Sequence, residues 1–220
     1  GTAKPKLLDI PGATHPGVRQ AVWFLRRVSL YQSRSIDREE VVVGQGDKVA
    51  VIGCGNTAID AARTALRMGA SEVTVIYHRT IDRMSALRAE YDDAVNEGVR
   101  FMWQTSVTNI EGAQGNRLRT ITIQTEGQEP VEMPLDRLIM AVGSAPAARI
   151  VSTTTGIDVD EKGYVLTRDN PYGMTTRRGV FAGGDVTNRP ATVVHAMRDA
   201  KLVAESIARY VDAVKLMESL

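Results

Sequence analysis

Between Lys48 and Gln104 the chain alternates short, continuous apolar runs with longer segments in which apolar residues recur every three or four positions. The runs VAVIG, EVTVIY and VRFMWQ are too short for helices and rich in β-branched residues, so they predict buried strands. The periodic segments NTAIDAARTALRMGA and SALRAEYDDAVNEG predict helices that stop at Gly69 and Gly98. A strand, helix, strand, helix, strand series predicts a parallel sheet with right-handed crossovers, because each helix returns the chain to the end where the next strand begins.

After Gln104 the period changes from mixed to two. TSVTNIEGAQGNRLRTITIQTEGQEPVEMPLDRLIMAVG alternates apolar with polar residues, and its AQGN and EGQEP breaks predict an antiparallel meander leading into a buried strand, Leu138 to Val142. Further on, GYVLT and GVFAGGD predict two more strands, and a helix from about Thr192 to Tyr210 closes the pattern. Upstream, VRQAVWFLRRVSLYQ repeats apolar residues at helical spacing, which puts Val18, Val22, Leu25 and Val28 along one face before the polar linker SRSIDREE. The expected fold is α/β: a Rossmann-like parallel sheet with helices on both faces and an antiparallel β meander. The expected boundaries are 1–40 for a linker and helix, 41–146 for a dinucleotide-binding domain and 147–220 for a third segment.

Composition narrows the class without choosing a function. The 220 residues are 43% hydrophobic and 24% charged, enough to bury a sizeable core. Twenty-seven basic residues stand against twenty-six acidic ones, which speaks against nucleic acid or an anionic membrane as a partner. The single cysteine, Cys54, allows neither an intrachain disulfide nor a cysteine-rich metal or iron-sulfur site. His15 and His195 have no second ligand at a fixed offset, so no metal site is expected. No apolar run approaches the ~20 residues of a membrane span. GTAKPKLLDIPG lacks a signal peptide's apolar centre, so a cytoplasmic setting is the expectation.

The chemistry begins at VIGCGNTAID. Gly53, Gly55 and Ala58 have the G-x-G-x-x-[GA] spacing of a dinucleotide-binding turn, and they follow a strand and open a helix, as that motif requires. Phosphates would then meet free N–H groups at the helix's positive end, near Asn56 and Thr57. At the end of the second strand, YHRTIDRM puts His78, Arg79 and Arg83 where an NAD-binding chain would carry an acid. A guanidinium grips a 2'-phosphate and a carboxylate repels it, which favours NADP. Near the other end, Gly183, Gly184 and Asp185 follow an apolar run. Asp185 is placed either to accept hydrogen bonds from a polyol or to cap something local. Glu90 could reach a nicotinamide ring, but a solvated helix face is the simpler account of it.

The segment GVFAGGDV...ATVVHAMRDAKLVAESIARYV resembles the C-terminal FAD-binding part of two-dinucleotide-binding-domain flavoproteins. In order, IPGATHPGV, AVWFLRRV, VIGCGNTAIDAARTALRMGASEVTVIYHRT, MSALRAEYDDAVNEGV and AVGSAP resemble the glutamate synthase small (beta) subunit family of NAD(P)H-dependent FAD oxidoreductases. The resemblance implies hydride transfer from NADPH to FAD, followed by electron transfer to iron-sulfur clusters of a large catalytic or iron-sulfur partner subunit. It implies pyrophosphate at Gly53, Gly55, Asn56, Thr57 and Ala58, and the 2'-phosphate at His78, Arg79 and Arg83. Gly143 of AVGSAP, with Gly184, Asp185, Thr192 and Val193, would face cofactor, and 147–220 would be the C-terminal part of a discontinuous FAD domain.

No catalytic side chain is expected, since the cofactors carry the chemistry. The sequence departs from the family at His78, Ser85 and Ala200, where arginine, proline and glycine are frequent. Because GTAKPK resembles the linker after that family's first flavin-binding half, the chain is expected to be part of a longer reductase subunit that by itself binds NADP(H) more readily than FAD. A self-contained NADP-dependent dehydrogenase and a non-catalytic dinucleotide-binding module remain alternatives at this point.

Overall fold

Strand β1 (Lys4–Pro5) opens the described chain of the computed structural model, which covers residues 4–147, 151, 153–187 and 192–219. Two units are distinguished, Leu7–Val142 and the paired segments Gly1–Lys6 and Gly143–Leu220. The first helix packs into the core of the Leu7–Val142 unit.

Within Leu7–Val142 the chain runs through β2 (Val18–Gln20), α1 (Ala21–Gln32), β3 (Lys48–Ile52), α2 (Asn56–Arg67), β4 (Glu72–Ile76), α3 (Arg88–Asn96) and β5 (Arg100–Met102). It then makes β6 (Thr105–Gly112), β7 (Leu118–Thr125), β8 (Val131–Pro134) and β9 (Arg137–Met140). A five-stranded parallel sheet has the order β2-β9-β3-β4-β5, and β6-β7-β8 form a separate antiparallel sheet.

Because strand side chains alternate between faces, each central strand feeds two cores. Val49, Val51, Val73, Val75 and Ile139 point into a layer with Phe24 and Val28 of α1, Ile59 and Ala62 of α2 and Ala94 of α3. Ala50, Ile52, Ile76, Leu138 and Met140 point the other way, onto Val107, Ile110, Ile121 and Ile123 of the meander. Helices were expected on both faces; they cover one, and the meander takes the other. Fully burying a side chain such as Ile59 or Ile139 contributes roughly 1.5–3 kcal/mol, so both layers hold the sheet.

A buried ionic cluster ties the meander to the sheet. Asp47, 1% exposed, accepts from Arg117 at 2.6 Å, from Arg137 Nε at 3.3 Å and from the Gly44 N–H at 2.8 Å. Arg137 also donates to the carbonyl of Asn116, just before β7.

The expected face of α1 is corrected by its start. Val18 lies in β2, the helix begins at Ala21, and the buried residues are Ala21, Phe24 and Val28, while Val22 is exposed.

In the other unit β1 pairs antiparallel with β10 (Ser144–Ala145), and β11 (Thr167–Asp169) pairs with β12 (Tyr172–Thr175). Of the expected strand GYVLT, Thr167 opens β11 and Val165 makes an isolated bridge to Val159, while GVFAGGD is reduced to the bridge of Phe181 with Met174. In GVFAGGD the chain turns at Gly184–Val186 into a single 3-10 turn, which ends any ladder. Helix α4 (Val193–Glu218) runs eight residues past the expected end. Among the described residues no helix is long and apolar enough to cross a membrane.

Candidate functional site

At the C-terminal end of β3 the chain turns sharply into α2. Gly53 has φ +117°, a conformation that L side chains rarely adopt, and a Cβ there would lie 2.5 Å from the Ala141 carbonyl oxygen. Gly55 is the N-cap, with an extended backbone, and its carbonyl accepts the N–H groups of Ala58 and Ile59. Ala58 is fully buried, so its small side chain lets α2 pack closely on the sheet. The N–H groups of Asn56 and Thr57 belong to the first turn, which a helix leaves without internal partners. They point outward from the positive end of a twelve-residue helix.

The segment after β4 is pinned to this turn. The Cys54 carbonyl accepts the N–H groups of Ser85 at 3.2 Å and Ala86 at 3.1 Å, and Asn56 Oδ1 accepts that of Leu87 at 2.9 Å. Tyr77 supports the other end of the segment by donating its hydroxyl to the Arg83 carbonyl at 2.8 Å. Between these anchors His78, Arg79 and Arg83 come together around a surface cavity of about 360 Å³, as sequence position alone could not guarantee. Arg79 Nε donates to His78 Nε2 at 3.1 Å.

Thr80 and two distant residues complete the cavity lining: Gln104, at the corner between β5 and β6, and Glu126, just after β7. The Gln104 N–H donates to the Arg79 carbonyl at 3.1 Å, its carbonyl accepts the Glu126 N–H at 2.9 Å, and its side-chain amide donates to Glu126 Oε2 at 2.7 Å. No sequence signal marks either residue, because their role comes from strand pairing.

Gly143, Gly184, Asp185, Thr192 and Val193 belong to the other unit. Gly184 opens the 3-10 turn that contains Asp185, and it packs against Ala196 in the first turns of α4. Thr192 caps α4 by accepting the His195 N–H at 3.3 Å, and Val193 is the first helical residue. Gly143 lies elsewhere in that unit, immediately before β10, with its carbonyl accepting the Lys6 N–H at 3.0 Å.

The residue organising the GGD turn is Asp199, which sequence reading passed over because it sits inside a helix. It is 2% exposed and accepts from the Gly184 N–H at 3.1 Å, the Tyr172 hydroxyl at 3.1 Å and Arg198 at 3.2 Å. Burial acts to raise its pKa, but these donors outweigh it and hold the carboxyl below the usual carboxylate range.

Two other residues resolve plainly. Glu90 is ion-paired with Arg63 at 2.8 Å, and the same guanidinium reaches Asp93 and Glu97, so it belongs to a bridge between α2 and α3. Cys54 is 2% exposed, and burial pushes its thiol up to about 11.

Comparison with known proteins places this arrangement. The family model for pyridine nucleotide-disulphide oxidoreductases matches residues 1–200. A glutamate synthase [NADPH] small chain from Halomonas elongata is 32% identical over 96% of this chain and 48% of its own length. An NADPH-Fe(3+) oxidoreductase subunit beta from Geobacter sulfurreducens is 33% identical over 78% of this chain and 31% of its own. The resemblance carried by the ordered motifs is thus borne out. In fold, the thioredoxin reductase of Lactococcus lactis superposes with a TM-score of 0.76 at 24% identity, over 96% of this chain and 64% of that one. The chain spans about half the length of the glutamate synthase relative it matches.

Proposed function

Since the chain belongs to the pyridine nucleotide-disulphide oxidoreductase family, we propose that it is the NADPH-binding portion of a flavoprotein oxidoreductase. When bound, the nucleotide would supply a hydride to the flavin, and in this reading the electrons would go on to iron-sulfur clusters of a partner subunit. The NADPH named in the two relatives' descriptions supports this choice of nucleotide.

The chain's own residues bind and orient. In this reading the α2 N-terminus, through the N–H groups of Asn56 and Thr57, holds the pyrophosphate, while Gly53 and Gly55 let backbone approach it and Ala58 packs the helix. Arg79 and Arg83, with His78 beside them, hold the 2'-phosphate. In the other unit Asp185 offers an acceptor to a flavin polyol chain, with Gly184, Thr192 and Val193 lining that cofactor. These 220 residues contain one cysteine, which is buried, so they supply no dithiol for disulfide exchange. A reducing, cytoplasmic compartment fits the same composition.

The observation that carries the proposal is the junction at Cys54. Its carbonyl fixes the arginine-bearing segment after β4 to the glycine turn after β3, which supports reading the two as parts of one nucleotide site. Titration of the chain with NADPH, NADH and FAD, followed by dye reduction with and without added FAD, tests it. NADPH should bind more tightly than NADH, and dye reduction should require added flavin; equal binding of the two nucleotides, or turnover without flavin, would overturn it.

A further inference from the structure

The arginine cavity contains one acid, and its arrangement is unusual for a site meant to hold a phosphate. Glu126 lines the cavity with Arg79 and Arg83, yet among the described residues neither arginine makes an ion pair with it. Its Oε2 instead accepts the side-chain amide of Gln104 at 2.7 Å. Gln104 is fixed on both sides of its own backbone, to the Arg79 carbonyl and the Glu126 N–H. Its φ of +52° lies in the left-handed region, so the residue is held rather than carried passively through the corner.

From this we infer that Gln104 and Glu126 form a specificity element of the nucleotide site: Gln104 holds an internal anion off the two arginines, and the position of that anion sets how strongly the site prefers a 2'-phosphate over a 2'-hydroxyl. The inference rests on the NADPH reading of this cavity. Arginines without a carboxylate partner can grip a dianionic phosphate bidentately. A carboxylate released onto them would occupy the same donors and compete as a tethered ligand, while a 2'-hydroxyl, which carries no charge, would be little affected. Even in its held position Glu126 faces the phosphate across solvent and lowers its affinity modestly.

The test uses the whole chain and measures dissociation constants for NADPH and NADH by calorimetry, with melting temperature as a folding control. Glu126→Gln should tighten NADPH about fivefold and change NADH less than about twofold, the size expected for removing one solvated like charge. Gln104→Asn keeps a residue at ease in the left-handed region but shortens the amide, and should weaken NADPH about fivefold through release of the acid. The double variant should return to the tight binding of Glu126→Gln, because no anion is left to release.

A double variant as weak as Gln104→Asn, or a Glu126→Gln that shifts both nucleotides equally, overturns the inference. Should Gln104→Asn melt early, the nucleotide preference of Glu126→Gln decides alone. Arg83→Ala reports separately on the underlying reading: if it leaves NADPH affinity unchanged, the 2'-phosphate is not held here, whatever the Glu126 variants do.

Discussion

Alanine at Gly53 and at Gly55 should separate folding from binding within one turn. At Gly53 the new Cβ faces the Ala141 carbonyl at 2.5 Å, and the backbone has φ +117°. Such a conformation costs a non-glycine residue roughly 1–3 kcal/mol. The carbonyl belongs to main chain just beyond β9 and cannot swing aside, so crowding adds about 1–3 kcal/mol. At Gly55 the backbone is extended and the nearest atom to a new Cβ is Ser85 Oγ at 3.2 Å. That hydroxyl can rotate, since its bond to the Cys54 carbonyl is 3.5 Å long. Alanine is a poorer N-cap than glycine, while its smaller unfolded-state freedom offsets part of the loss, leaving a net cost within about 1 kcal/mol.

For a chain of this size 1 kcal/mol shifts the melting temperature by roughly 2–4 °C. Gly53→Ala should therefore melt roughly 4–24 °C lower and Gly55→Ala no more than roughly 4 °C lower. Binding should go the other way: in Gly55→Ala the added methyl stands where pyrophosphate approaches the helix, and NADPH affinity should fall at least about tenfold while the fold survives. Circular dichroism melts and calorimetric titration of the same samples check both. A Gly55→Ala protein that melts like Gly53→Ala, or binds NADPH like the parent, refutes the division of labour.

Asp199→Asn should destabilise the chain by about 2 kcal/mol at neutral pH, because buried donors lose a charged acceptor. Since the folded Asp199 carboxyl lies below its ordinary range, the difference from the parent should be complete above that range and vanish as pH falls through the lowered value; urea unfolding that shows the same difference at strongly acid pH would contradict this. Arg137→Met leaves the buried Asp47 short of one partner and should cost about 3 kcal/mol in denaturant unfolding, whereas a loss below about 1 kcal/mol would mean that Arg117 and the Gly44 N–H suffice. Cys54, raised to about 11, should resist iodoacetamide at pH 8 in the folded chain and react readily in urea; equal rates would show that the thiol is accessible.

The unit from β3 to β5 was legible because two independent signals agreed there. Short β-branched runs marked strands, and glycines at 53, 55, 69 and 98 marked where helices begin or stop. The same rule failed at α1 by a few residues: counting from Val18 included three strand residues, and the helical phase shifted so that Val22 faced solvent. GVFAGGD read as a strand because it is apolar, yet its glycines end it after a single bridge. At the site, the local motifs placed Gly53, Gly55, Arg79 and Arg83 correctly relative to the strand ends. Gln104 and Glu126 had no such motif, since only the folding of the meander onto the sheet brings them beside Arg79. Asp199 was hidden because a carboxylate inside a helix usually faces water, and here it faces the Gly184 turn.

The central claim is that the glycine turn and the arginine cavity bind one nucleotide between them. A crystal structure of the chain with NADP bound tests it most directly. The account predicts pyrophosphate oxygens within hydrogen-bond distance of the Asn56 and Thr57 N–H groups and the 2'-phosphate between Arg79 and Arg83, with Glu126 still on Gln104. A nucleotide lying away from the Gly53–Gly55 turn, or one whose 2'-phosphate points to solvent without touching either arginine, would contradict it.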